Sequence, residues 1–245
     1  MKKLTYTLSA LLALLFAFGA CTNDVPGFDE QGQGKASRVK TLTTAEDGWS
    51  ETYAFTYRED GRVTSILNTY EGGGDNILYD WSVAGKLSIT KDGKVSVYEV
   101  NDKGYVTSDP KGDYYNTYEY DEDGILIKLT EYWDGGSEVK YTVETKAKNV
   151  LKHKSKRSGK DYQKVFTYAP GLNSCHIQQT NAVNSPWKEQ SGMHGVASNR
   201  IIIGQNVGFV EAEGTNTKLS YEFDDFNRPT KIDYGYKQFY YTYED

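Results

Sequence analysis

The chain has 245 residues, 14% of them aromatic, with 21 tyrosines, only 5 prolines and 2 methionines, and a formal charge of −6. That length suffices for one large domain or two small ones with a sizeable core. The balance is acidic and no basic cluster resembles a nucleic-acid footprint, and 2 cysteines allow at most one disulfide.

Met1-Lys2-Lys3 gives a short positive start, Leu4 to Phe18 a mostly apolar run, and Gly19-Ala20 small residues directly before Cys21. Residues 1–20 read as an export signal, too short for a spanning helix. Phe18-Gly19-Ala20-Cys21 resembles the bacterial lipobox, with Phe18 where Leu is usual. The resemblance implies cleavage before Cys21, acylation of Cys21 and membrane attachment through the lipid, held stably by two or more acyl chains. Cleavage leaves 225 of the 245 residues and removes Lys2 and Lys3, so 26 basic side chains face 34 acidic ones. Residues 21–37, rich in Asn, Asp, Pro, Gly and Gln, read as a flexible tether. The expected location is the outer membrane, on its surface or periplasmic face; Asp24 is a weak version of an acidic export tag.

From residue 38 to 245 the pattern is that of one all-β domain. Tyr53, Phe55 and Tyr57 alternate with Ala54, Thr56 and Arg58; after Glu59-Asp60-Gly61-Arg62 the alternation resumes with Val63, Ser65 and Leu67. Period two on both sides of Asp-Gly predicts a hairpin with glycine in the left-handed conformation and a bulge. The unit recurs at Tyr98–Val106, Tyr118–Ile127 and Tyr221–Arg228, with Asn227 in the glycine position, and more weakly at Phe166–Gly171. Asn is the usual substitute where φ is positive. Tyr57, Val100, Tyr120, Tyr168, Phe223 and Tyr243 fall roughly 20 residues apart or at loose multiples, the length of two strands and two turns. Each copy buries its apolar face only beside its neighbours. The predicted architecture is therefore an antiparallel meander of repeated hairpins in one large twisted sheet or open half-barrel. Lys128, Thr130, Lys231 and Asp233 on its non-core face argue against a lipid-embedded barrel, which needs an apolar outer band.

Tyr57, Asp60, Gly61 and Arg62 give the unit a wording similar to the YD repeats of bacterial surface and toxin-delivery proteins. With the lipobox and the polar stretch after Cys21, the chain resembles lipoproteins of Bacteroides-type Gram-negative anaerobes. The resemblance implies a porin-like antiparallel meander over about residues 38–245, and brings no catalytic residues with it.

Chemistry is sparse. Glu119-x-Asp121-x-Asp123-Gly124 has the start of a calcium loop, but position twelve is Thr130, so it reads as a turn. His153, His176 and His194 lack metal-ligand spacing, and adjacent Cys175 and His176 on a strand point to opposite faces. No nucleophile elbow, phosphate loop or dinucleotide fingerprint occurs, and neither catalytic residues, metal nor cofactor is expected. The basic residues Lys146, Lys148, Lys152, Lys154, Lys156, Arg157 and Lys160 read as a solvated hairpin end. Cys175 reads as a small buried residue.

The segment 170–207 departs most from the repeat and carries Cys175, His176, Trp187, Met193 and His194. Irregular insertions in regular sheets often carry function. Trp49, Trp81, Trp133 and Trp187 add aromatic faces that can stack on sugars or peptides. The expectation is a lipid-anchored, non-catalytic module binding an extracellular or periplasmic glycan or peptide through Trp133, Trp187 and His194. The alternative is a structural lipoprotein docking onto another envelope protein.

Overall fold

The computed structural model describes residues 38–172, 177–178, 185–198 and 200–244. The leader, Cys21, the tether, Cys175 and His176 lie outside the described residues.

Seventeen strands follow one another along the described chain. They are β1 (Val39–Glu46), β2 (Trp49–Tyr57), β3 (Val63–Tyr70), β4 (Gly73–Asp80), β5 (Lys86–Lys91), β6 (Lys94–Val100), β7 (Val106–Ser108), β8 (Tyr114–Tyr120) and β9 (Leu126–Trp133). The second half holds β10 (Gly136–Lys146), β11 (Asn149–Arg157), β12 (Lys160–Leu172), β13 (Arg200–Phe209), β14 (Thr215–Lys218), β15 (Ser220–Phe223), β16 (Pro229–Asp233) and β17 (Gln238–Tyr243). A five-residue helix, α1 (Pro186–Gln190), lies between β12 and β13.

Every ladder is antiparallel and joins chain neighbours, except one: β1 pairs with β2 on one side and β17 on the other. The meander thus becomes a nearly closed, barrel-like sheet. The step from β14 to β15 is a break at Leu219 within one run, and the Leu219 N–H still reaches the Ile203 carbonyl at 3.0 Å. Antiparallel meander and single sheet are as the sequence predicts; the curvature carries beyond a half-barrel.

The predicted hairpin recurs with one geometry. Gly61, Gly104, Gly124 and Asn227 all have positive φ. In each copy their N–H donates three residues back, to the carbonyls of Arg58, Asn101, Asp121 and Asp224. Each copy also has a register shift at the strand end before the turn, at Thr56/Tyr57, Glu99/Val100, Glu119/Tyr120 and Glu222/Phe223. The carboxylates of the calcium-like stretch serve this turn and its surroundings. Asp121 accepts from the Ile125 N–H and the Thr145 hydroxyl, Asp123 pairs with Lys148, and Glu119 with Lys128.

A second recurring contact ties the same end of the barrel. An aromatic donor at the end of one strand bonds the carbonyl that begins its neighbour, 14 to 19 residues earlier in the chain. Tyr57 donates to Val39 (2.7 Å), Trp81 to Val63 (2.9 Å), Tyr120 to Val106 (2.6 Å) and Tyr243 to Pro229 (2.5 Å); Tyr168 bonds Val150 and Tyr221 bonds Ile202. The residue before the acceptor often caps the same ring. Arg38 lies over Tyr57, Arg62 over Trp81 and Arg228 over Tyr243, while Tyr105 packs on Tyr120. The hydrogen bond fixes each ring and satisfies a carbonyl near a strand start, and at Tyr57, Trp81 and Tyr243 a cation–π contact adds to it.

Alternation sorts the side chains into two faces. The inner face carries Leu42, Phe55, Ile66, Ile77, Leu87, Tyr98, Leu129 and Ile232, all buried in one cluster. The outer face carries threonine pairs, such as Thr43–Thr52 at 2.8 Å and Thr41–Thr242 at 2.7 Å. Ion pairs Lys86–Glu99, Lys128–Glu119, Lys231–Glu222 and Lys154–Glu144 are spread around the same face. A lipid-facing barrel wall has the opposite arrangement, apolar outside.

Candidate functional site

The turns between β2 and β3, β8 and β9, and β15 and β16 share one end of the barrel with the aromatic-to-carbonyl contacts; we call it the latched end. The connection between β12 and β13 starts there too and folds inward. Met193 accepts from the Val106 N–H (2.8 Å), and the Val196 N–H donates to Gly124 (3.0 Å). Trp187 meets Tyr79 edge-on at 6.5 Å, Lys188 lies over the Tyr98 ring at 5.8 Å, and His194 packs on Tyr118 at 4.5 Å. Ile177 and Met193 join the main core. One short segment thus touches β4, β6, β7 and β8 from inside. It is a plug, with α1 as its inner surface.

The plug is set in apolar and aromatic surroundings. Burial, and then the charge of Lys188, push the His194 pKa down to about 3, so the imidazole is neutral. Burial raises the Tyr98 hydroxyl to about 12 and raises Tyr79 further. Lys188 is lowered by burial, against the pull of Asp109.

Toward the opposite end the lumen remains open as a cup of about 400 Å³. Its floor is Pro186 and Glu189 of the plug; its wall includes Lys164 of β12 and Phe239 and Tyr241 of β17; Tyr236 and Lys237 stand at its mouth. Burial lowers the Lys164 pKa, and Glu189 opposes that shift. Glu46 and Lys237 pair at 3.4 Å across adjacent hairpins. Further around the same end, Lys91 pairs with Asp75 at 3.0 Å, and Lys140 with Glu131 at 2.7 Å. The turns of this open end carry a rim of aromatics: Trp49, Tyr70, Tyr114 and Tyr236 are exposed, Tyr114 by 76%, and Trp133 is half-buried beside Lys140.

The three residues predicted to bind ligand are therefore not one cluster. Trp133 stands on the open rim, whereas Trp187 and His194 belong to the plug. At 1% exposure, His194 meets a ligand only if the plug moves. The departure of 170–207 from the repeat corresponds, in its described residues 177–178 and 185–198, to a segment packed inside the barrel. The sequence reading missed Lys164 and the rim as a set. Each rim aromatic lies at or beside a hairpin turn of the open end, Trp49 and Trp133 directly beside Asp47-Gly48 and Asp134-Gly135, which is a signal readable in hindsight. Among the described residues no group of three or more His, Cys, Asp or Glu is placed to hold a metal.

No family model and no curated protein matches the chain. Solved structures share its architecture, among them two porin-like proteins. A porin-like protein from Bacteroides uniformis superposes with a TM-score of 0.68 at 18% identity, covering 84% of this chain and 98% of that one. A porin-like protein from Bacteroides vulgatus gives 0.52 at 10% identity, covering 85% and 99%. At these identities the likeness is one of fold.

Proposed function

We propose that the protein is a lipid-anchored, non-catalytic binding module of the outer membrane, tethered through Cys21, that takes a glycan at the open end of its barrel. The observation that carries this reading is the open end, where a cup lined by Tyr234, Tyr236, Phe239 and Tyr241 opens and the turns carry Trp49, Tyr70, Tyr114 and Trp133. Aromatic faces stack on the apolar faces of pyranose rings, and polar groups inside a cup fix orientation. A peptide is served less well: strand addition needs a free sheet edge, and β1 is paired on both sides. The polar outer wall fits a barrel held in water by its tether. The envelope location rests on the leader and on the fold of the Bacteroides neighbours.

A glycan array followed by titration calorimetry on the full-length protein in mild detergent tests this. The expected result is saccharide binding that weakens at least about tenfold in Trp49→Ala/Trp133→Ala, a loss of about 1.4 kcal/mol. Undiminished binding in that variant would refute the rim. A second reading, docking onto an envelope protein, draws on an outward apolar patch of Leu67, Leu78, Val95 and Val97, exposed by 44–63%. Crosslinking to one stoichiometric partner, lost in Leu67→Glu/Val95→Glu, would favour it.

A further inference from the structure

We infer that the cup selects an acidic glycan unit, holding the sugar carboxylate on Lys164; this rests on the glycan-binding reading above. Lys164 projects from the inner face of β12, opposite His153 of β11 and Val207 of β13 in the ladders. Its ammonium lines the cup and lies 5.3 Å from the Phe166 ring. No carboxylate among the described residues forms an ion pair with it, whereas Lys237 pairs with Glu46, Lys91 with Asp75 and Lys140 with Glu131 at the same end. Glu189 on the floor is engaged in a contact of its own.

A half-buried ammonium in no ion pair is costly to maintain, because the charge of Glu189 offsets only part of its lost hydration. A carboxylate entering the cup supplies the missing partner through a charge-assisted hydrogen bond. Phe239, Tyr241, Tyr234 and Tyr236 line the same space, so aromatic faces and a cation converge within a volume suited to one or two sugar rings. Uronic acids combine those two features. The site thereby distinguishes an acidic sugar from its neutral counterpart through Lys164, while the rim contributes affinity to both.

Calorimetry on the full-length protein in detergent, with galacturonate and galactose as probes, tests the assignment. Galacturonate should bind about tenfold more tightly. Lys164→Met should bring it to the galactose level, and Lys164→Arg should keep the preference. Equal binding of the two sugars, or a preference that survives Lys164→Met, overturns the inference and leaves glycan binding standing. Failure of the wild type to bind either sugar counts against both readings. Binding of N-acetyl-alanine but not galacturonate assigns the cation to a peptide terminus and overturns the acidic sugar. If Lys164→Met does not fold, the wild type with ¹³C-methylated lysines decides. The resonance missing from Lys164→Arg should move with galacturonate and stay still with galactose; the reverse result refutes the contact.

Discussion

The latched end and the open end finish the same strands in opposite ways. At the latched end the described connections are tied: Asp-Gly turns bond their own backbone, aromatic donors hold carbonyls at strand starts, and the plug bonds β7 and the β8–β9 turn. At the open end the hairpins are short, their aromatics face solvent, and charged side chains line the inner wall. On the proposed reading, stability and recognition are separated along one axis. A rigid base holds a lumen whose mouth is left free of structural duty, the arrangement expected where a scaffold presents a site on its loops.

The largest expected contrast comes from one substitution made at both ends. Gly195, in the plug, has φ +97, and an added Cβ would lie 2.4 Å from the Gly124 carbonyl oxygen. Gly48, in the β1–β2 turn, has φ +80 and open space around it. Gly195→Ala should cost roughly 2–4 kcal/mol and Gly48→Ala about 1 kcal/mol in urea unfolding. Equal costs would break the distinction between a packed and a free end.

An acid-dependent loss is next. His194 stays neutral down to about pH 3, whereas an unfolded histidine titrates near its usual 6.5. Between those values the unfolded chain binds a proton that the folded chain refuses. Stability therefore falls as pH drops through that window, by up to about 1.4 kcal/mol per pH unit, and is insensitive to this group above it. His194→Leu should flatten that limb when unfolding is measured at pH 7 and pH 5; an unchanged slope would mean that the plug is not closed around the imidazole.

The latches should each be worth somewhat less. Tyr57→Phe removes the donor to the Val39 carbonyl and should lose about 1–3 kcal/mol. Tyr114→Phe on the open rim should stay within about 0.5 kcal/mol in the same unfolding assay. The smallest stability effect is expected for Trp49→Ala, also within about 0.5 kcal/mol. Its consequence should appear in glycan binding instead; a large drop in stability would show that the rim has a structural role.

Much of the latched end is legible in the chain. Asp60-Gly61, Asp123-Gly124 and the Asn227 substitution specify turns through local backbone chemistry, and alternation through Tyr53–Tyr57 specifies strands. Of the six spaced anchors, Tyr57, Tyr120, Tyr168 and Tyr243 prove to be latch donors. Val100 has no hydroxyl to give, and near Phe223 the donor is Tyr221. Trp81 does the same work with an indole N–H, a substitution that spacing suggests only once the acceptor Val63 is known.

By itself the sequence determined the repeated hairpin, the antiparallel meander and the anomaly at 170–207, because turns and period-two patterns are set by contacts between near neighbours. Only the tertiary structure decided that β1 meets β17, since closure depends on twist summed over every strand. It also decided what the inner face covers. Alternation tells which side of a strand is buried and not what lies against it, so the plug over Tyr79 and Tyr118, and the cup that holds Lys164 outside any ion pair, exist only once the sheet has curled around its own insertion.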